Sequence, residues 1–374
     1  MRWSWRILTV AGIGIYVHAT FVLLPMFFAA YSYLASEGNV MAAVGGVVFI
    51  LVLFVIVVLH ELGHALTAKR FGIKTRDITL LPIGGVARLE RMPEKPWQEL
   101  VVALAGPAVN VALAIILFAV LVPMMTIAEM LQFDLSLLGG NFLVRLLQVN
   151  IFLALFNMLP AFPMDGGRVL RALLAMKMAY PRATRLAATI GQMMAAMFGI
   201  AGLLGGGPFL IIIAIFVWIG AGQEASYVQT KWALSSVPIE RMMITDFRTL
   251  NGGDPLSVAV QHILAGFQHD FPVEENGKVV GVLTRSDLLK ALAKEGQSLR
   301  VGDVMQTQFQ TAQPHEMAER VFERLQRHEC RSLPVLSDGR IVGIVTMENV
   351  GEFLAIQEAL RTQNAPPKIP IKSR

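Results

Sequence analysis

The first part of the chain consists of long apolar runs separated by short polar segments. A helix needs about 20 apolar residues to cross the hydrocarbon core of a bilayer. Six runs predict membrane-spanning helices, at about residues 13–34, 41–67, 100–124, 142–159, 186–204 and 209–221. The last run is short, which predicts a span that tilts or is buried against its neighbours.

A different pattern separates the second and third runs. Residues 72–90 are rich in β-branched residues, and their Gly84-Gly85 pair suits a tight turn. We therefore predict a β-hairpin or short sheet at the cytoplasmic interface. Its role is either packing or, as an exposed edge strand, pairing with an extended substrate.

After Gln223 the chain alternates apolar strands with amphipathic helices, and it repeats. Residues 279–287 (VVGVLTRSD) align with residues 341–349 (IVGIVTMEN), an offset of 62 residues from Gly281 to Gly343. The repeats predict soluble α/β domains. The predicted organisation is a membrane domain over 1–223, a linker over 224–237, repeats over 238–297 and 298–357, and a disordered tail over 358–374.

Composition agrees with a membrane protein. The 374 residues are 55% hydrophobic and 16% charged, against about a quarter charged in soluble domains. The net charge of +5 suits membrane flanks better than nucleic acid, so no nucleic-acid partner is expected. Cys330 is the single cysteine, which excludes a disulfide scaffold. The N-terminus resembles a signal peptide, but its apolar stretch continues to Ala35 and predicts a retained first span.

Loop charges predict the orientation in the cell membrane. The loops on one side carry Glu37, Glu129 and Asp134, and Arg145 is the exception there. The positive-inside rule places the other side, both termini and the repeats in the cytoplasm. The basic residues of that side are Arg2, Arg6, Lys69, Arg70, Lys74, Arg76, Arg88, Arg91, Lys95, Arg168, Arg171, Lys177, Arg182 and Arg185.

The second apolar run ends in a motif that can bind a metal. His60 and His64 in the segment His60-Glu61-Leu62-Gly63-His64 lie one helical turn apart on one face. Two such imidazoles can hold one metal ion, and Glu61 beside them can take a proton from water. The motif alone arises often by chance. Within an apolar span the metal is favoured, because ionisable groups there are costly without a function.

A catalytic metal usually has three protein ligands. Asp165 is the best third candidate, since it follows the fourth span on the same predicted side as the histidines. Its alternative role is to cap the next helix. Asn157 could hold a carbonyl oxygen or a developing oxyanion, or make a hydrogen bond between helices. Asn110 has the same two alternatives.

Three segments together resemble the site-2 protease family of intramembrane zinc metalloproteases. They are residues 60–64, residues 106–110 (GPAVN) and residues 157–168 (NMLPAFPMDGGR), and the resemblance covers about residues 3–223. It implies one Zn²⁺ held by His60, His64 and Asp165, with Glu61 as general base and Asn157 near a membrane-protein substrate. Met164 departs mildly from the Leu that usually precedes Asp-Gly.

The repeats resemble a tandem pair of CBS domains. This resemblance implies an adenine nucleotide, ATP, ADP or AMP, contacted by Thr284 and Asp287 in the first copy and by Thr346 in the second. Asn349 stands where the second acid is expected, so binding is expected to depend more on Asp287 than on Asn349. The alternative is that the repeats only join two chains in a homodimer.

Two other classes of function compete with a protease. A transporter or channel gated by a nucleotide would need polar residues along several spans, which the sequence lacks, and it gives Glu61 no role. An inactive membrane scaffold would not need an intact set of candidate ligands.

Overall fold

The computed structural model describes residues 3–82, 84–90, 93, 95–126, 141–266, 268–296, 299–327 and 332–363. The chain divides into two compact units, Met1–Ser226 and Tyr227–Arg374. Arg91, Glu129, Asp134, Cys330 and residues 364–374 of the predicted tail lie outside the described ranges.

The first unit is mostly helical and apolar. Among its described residues, four helices are long and apolar enough to cross a membrane, and two shorter helices, Ala19–Ala35 and Phe142–Asn157, are also apolar. These helices confirm the prediction of a polytopic α-helical membrane protein. The helices are α1 (Leu23–Ala35), α2 (Val40–Arg70), α3 (Pro96–Leu121), α4 (Phe142–Asn157), α5 (Asp165–Ala175), α6 (Tyr180–Ala201) and α7 (Pro208–Leu234).

A four-stranded sheet accompanies these helices. Its strands are β1 (Ser4–Val10), β2 (Ile13–His18), β3 (Thr75–Leu81) and β4 (Gly84–Leu89), in the order β1-β2-β3-β4. The outer pairs are antiparallel and the central pair is parallel. The predicted hairpin at residues 72–90 is therefore confirmed as part of a larger sheet. Leu81 pairs with Gly84, so the two glycines begin β4 rather than form the turn.

The start of the first predicted span differs from the structure. Residues 13–18 form β2, because Ile13 and Ile15 alternate with more exposed neighbours and pack with Leu62 and Ala65 of α2. Helix α1 begins only at Leu23. At the other end, α7 is 27 residues long and continues through most of the segment predicted as a linker.

The second unit contains the two repeats. Each has its own core and a two-stranded antiparallel sheet. The elements are α8 (Leu256–Ala265), β5 (Phe271–Glu275), β6 (Lys278–Leu283), α9 (Arg285–Glu295), α10 (Val301–Val304), α11 (Ala318–Arg327), β7 (Ser332–Ser337), β8 (Arg340–Thr346) and α12 (Met347–Gln363). Helix α12 continues to Gln363, beyond the predicted start of the disordered tail.

The repeats exchange backbone hydrogen bonds in a symmetric way. Ile244 pairs with Ile344, and Gln306 pairs with Val282. Ile244 and Gln306 are separated by the repeat offset of 62, as are Val282 and Ile344. Each repeat therefore supplies one residue to the edge of the other repeat's sheet.

Candidate metal centre and active site

Three side chains meet at the end of α2. Oδ2 of Asp165 lies 3.1 Å from Nε2 of His60 and 3.1 Å from Nε2 of His64, and the two Nε2 atoms are 3.1 Å apart. All three residues are buried. Their ligand atoms can therefore hold one metal ion.

The local sequence explains how Asp165 reaches the histidines. Helix α4 ends at Asn157, and the chain turns back sharply before α5 begins. A Cβ at Gly167 would lie 2.6 Å from the carbonyl carbon of Ala161, so only glycine allows this turn to pack closely. Met164 occupies the N-cap position of α5. The carboxylate of Asp165 contacts the histidines from the first turn of this helix.

Helix α3 orients both imidazoles. Nδ1 of His64 donates to the carbonyl oxygen of Val102 at 2.7 Å, and Nδ1 of His60 donates to Oδ1 of Asn110. A proton on each Nδ1 leaves each Nε2 with a free lone pair, which is the state required of a metal ligand. Of the two alternatives for Asn110, the structure shows the hydrogen bond between helices.

The side chain of Asn150 extends the hydrogen bonds of His60 and Asn110, and it was not predicted from the sequence. Nδ2 of Asn110 donates to Oδ1 of Asn150 at 3.2 Å, and Nδ2 of Asn150 donates to the carbonyl oxygen of Leu146 at 2.8 Å. Both asparagines are fully buried. The sequence does contain one indication of this role, because a polar residue inside an apolar span is costly unless it has a hydrogen-bonding partner.

Two glycines let α2 and α3 approach closely beside the ligands. A Cβ at Gly63 would lie 2.8 Å from the carbonyl oxygen of Ala105. A Cβ at Gly106 would lie 2.7 Å from Nε2 of His60 and closer still to Nε2 of His64. Any side chain at Gly106 would therefore occupy the space in which the two imidazoles meet.

Glu61 lies next to the ligands and is only partly buried. Strand β4 packs against its stem: a Cβ at Gly85 would lie 2.9 Å from Cγ of Glu61 and 3.0 Å from Cγ1 of Val57. Since β4 is the last strand in the sheet order, the edge of the sheet lies beside Glu61.

Asn157 does not join the ligand cluster. Its Nδ2 donates to the carbonyl oxygen of Leu153 at 3.0 Å, one turn earlier in α4. Among the described residues it makes no hydrogen bond to His60, His64 or Asp165. Its side chain is half-buried.

A buried ion cluster, centred on Arg171, lies near the start of α3. Nε of Arg171 donates to Oε1 of Glu99 at 2.8 Å, and a terminal nitrogen pairs with Glu224. Its guanidinium also lies over the rings of Phe162 and Tyr180. Arg171 is fully buried in α5, whereas the charge pattern counts it among the basic residues of a loop. Through these contacts the cluster connects α5, which carries Asp165, to α3, α6 and α7.

The two equivalent sites in the repeats differ. Asp287 is engaged inside the protein, because its Oδ2 accepts from Oγ1 of Thr284 at 2.7 Å and from Nε2 of Gln306 at 2.6 Å. In the second repeat, Oγ1 of Thr346 donates to Oδ1 of Asn349 at 2.9 Å. These last two residues line a cavity of about 300 Å³.

Known families match both parts of the chain. The model of "Peptidase family M50" matches residues 48–139 and 127–199, and the model of "CBS domain" matches residues 239–294 and 301–355. The chain is 32% identical to "Zinc metalloprotease MJ0392" of Methanocaldococcus jannaschii over 96% of this chain and 98% of that relative.

Two further matches cover less of the chain. "Putative zinc metalloprotease Rip3" of Mycobacterium tuberculosis is 28% identical over 79% of this chain and 77% of its own length. The solved "Site-2 Protease from Methanocaldococcus jannaschii" is 38% identical, covers 60% of this chain and 95% of the solved chain, and superposes with a TM-score of 0.44. The chain belongs to peptidase family M50, the site-2 protease family, and carries a CBS domain pair.

Proposed function

We propose that this protein is an intramembrane zinc metalloendopeptidase of the site-2 type. It would hydrolyse peptide bonds in or near transmembrane segments of other membrane proteins. The observation that carries the proposal is the meeting of His60, His64 and Asp165, with Glu61 beside them on a partly open side.

The donor set suits zinc. Two imidazoles and one carboxylate are a common ligand set of catalytic zinc, and they leave a position free for water or substrate. The hydrogen bonds from Nδ1 of each histidine are the supporting contacts that such ligands usually have. When bound, zinc acts as a Lewis acid that polarises the scissile carbonyl and makes water acidic.

The remaining chemistry belongs to the chain's own residues. Glu61 takes a proton from the attacking water and returns it to the leaving amine. Asn157, half-buried at the end of α4, is proposed to bind a carbonyl oxygen of the substrate. Among the described residues its carboxamide donates to Leu153, which leaves a second N–H for this purpose.

A substrate helix must unwind locally before attack, because its carbonyl groups are hydrogen-bonded within the helix. We propose that the unwound segment pairs with the edge of β4, whose Gly85 packs on Glu61. Pairing there would lay the scissile bond alongside the metal ligands.

Crosslinking tests this docking. A photo-crosslinker at Val86, which is exposed in β4, is expected to capture substrate in the Glu61→Gln enzyme. The matched position is Val40, exposed at the far end of α2, about 30 Å along the helix from His60. Capture at Val40 and not at Val86 would contradict the proposed docking.

The substrate itself can be found by comparing cells. Membrane proteomes of cells with the active enzyme and cells with Glu61→Gln are expected to differ in one or a few membrane proteins. Those proteins should accumulate uncut in the variant and appear as shortened fragments in the active strain. Identical proteomes, under conditions in which the enzyme is expressed, would count against proteolysis.

We propose that the protein is a multi-pass protein of the cell membrane with both termini and the repeats in the cytoplasm. The basic loops support this orientation. A membrane-impermeant thiol reagent is then expected to modify Cys330 only after the membrane is opened. A cysteine introduced at Glu37, in a loop predicted on the opposite side, is the positive control for labelling of intact cells. Labelling of Cys330 in intact cells would reverse the orientation.

We further propose that the CBS pair binds an adenine-containing ligand and that binding alters proteolysis. Regulation requires that the ligand bind two states of the enzyme with different affinities. The alternative role, formation of a homodimer through the repeats, predicts no ligand effect on cleavage.

A further inference from the structure

The two CBS sites of this chain are related by the repeat offset, but equivalent positions in them carry different side chains. Gln306 reaches the first site and donates to Asp287 at 2.6 Å. Its counterpart at the second site is Ile244, whose side chain has no hydrogen-bonding group. Both residues sit in equivalent backbone pairings, Ile244 with Ile344 and Gln306 with Val282. The difference therefore lies in the side chains.

In the part of the chain that the structure describes, protein side chains engage the acid of the first site, whereas the second site faces a cavity. At the first site, Gln306, Thr284 and Lys290 surround the carboxylate of Asp287, with Lys290 Nζ 3.6 Å from it. A ligand that contacts Asp287 would have to displace these hydrogen bonds. At the second site, a cavity of about 300 Å³ lies between Ile244 and Asn349.

The charges around the open cavity are mostly negative. Asp270, Glu348 and Glu352 line it, together with the guanidinium of Arg285 and the imidazole of His269. Burial raises the pKa of Asp270, so the carboxylates of Glu348 and Glu352 contribute more to the negative charge than Asp270 does. Such a wall repels phosphate groups.

The acidic wall is particular to the second site. The residues equivalent to Glu348 and Glu352 in the first repeat are Ser286 and Lys290, one neutral and one basic. The cavity is also at the small end of the range of about 300–1,000 Å³ typical of small-molecule sites. Its size and its charge both disfavour a triphosphate.

We infer that the second site, bounded by Ile244, Thr346 and Asn349, is the ligand site of this CBS pair, and that it takes a nucleoside without phosphate groups. The apolar side chains of Ile244 and Ile344 provide a surface for a flat base, and Thr346 and Asn349 offer polar groups to a sugar. The inference rests on the proposed regulatory role of the repeats. It replaces the expectation that Asp287 dominates binding.

Calorimetric titration of the purified full-length protein tests this inference. Adenosine is expected to bind at one site per chain, more tightly than AMP, and AMP more tightly than ATP. Glu348→Gln should raise the affinity for AMP by about two- to fivefold and leave that for adenosine unchanged, because it removes one repelling charge at the rim. Tighter binding of ATP than of adenosine, or no binding of any of the three, would overturn the inference.

Exchanging the two equivalent residues tests which site is used. Ile244→Gln should weaken adenosine binding by about tenfold or more, since the amide would enter the cavity and reach Asn349 as Gln306 reaches Asp287. Ile244→Val keeps an apolar side chain and should bind like the wild type. Gln306→Ile should add a second site per chain. Loss of binding in Asp287→Asn together with native binding in Ile244→Gln would place the ligand in the first site instead.

These results are independent of the protease proposal. Cleavage of a membrane substrate without added ligand reports on the metal centre alone, whereas the titrations report on the repeats alone. A thermal unfolding curve for each variant shows whether a loss of binding reflects loss of the fold.

Discussion

Replacing Glu61 by glutamine is expected to lower the rate of peptide-bond hydrolysis by about 10²–10⁴-fold while zinc stays bound. A general base contributes roughly this factor, and the amide of glutamine cannot accept the proton. The side chains that meet as candidate ligands are His60, His64 and Asp165, and Glu61 is not among them. Zinc content by atomic absorption and cleavage of a membrane substrate in detergent measure the two effects separately.

Variants of the three candidate metal ligands are expected to differ from Glu61→Gln in their zinc content. His60→Ala, His64→Ala and Asp165→Ala should each lose zinc as well as activity, since each removes a candidate ligand atom. Cleavage at the native rate by Glu61→Gln would refute the assignment of the base. Full zinc content in Asp165→Ala would show that this carboxylate is not a ligand, despite its 3.1 Å contacts with both histidines.

Local patterns in the sequence predicted much of the membrane unit. The run before His60 specified a long helix, and helical spacing placed His60 and His64 on one face, as α2 shows. Asp165 is the third candidate because it follows a span on the same predicted side as the histidines. These predictions needed only helix periodicity and the cost of ionisable groups in an apolar segment.

Such local patterns could not predict the contacts between segments that are distant in the sequence. Strand β2 was missed because Ile13–His18 runs directly into the apolar residues of α1, and its partner β3 lies about 60 residues away. Arg171 looked like one more basic residue of a loop, since nothing local to it reveals Glu99 and Glu224. The role of Gln306 required knowing that each repeat pairs with the other's sheet.

Alanine at Gly106 is expected to abolish both zinc binding and proteolysis, although the substitution adds a single methyl group at a position that is not a ligand. The new Cβ would lie 2.7 Å from Nε2 of His60 and nearer to Nε2 of His64, whereas carbon atoms in contact are normally about 3.5–4.0 Å apart. The imidazoles cannot simply move away, because Val102 and Asn110 of the same helix hold their Nδ1 atoms.

Gly45→Ala is the matched control, since Gly45 also lies in a predicted span and a Cβ there meets nothing within 4 Å. It should keep zinc, activity and the thermal stability of the wild type, or gain slightly in stability because alanine favours the helix. Gly106→Ala should instead separate α2 from α3 or rotate the histidines, and either change draws Nε2 away from Oδ2 of Asp165. Native zinc content in Gly106→Ala would show that the two helices can separate without disturbing the ligands, and α3 would then not be the element that orients the two imidazoles.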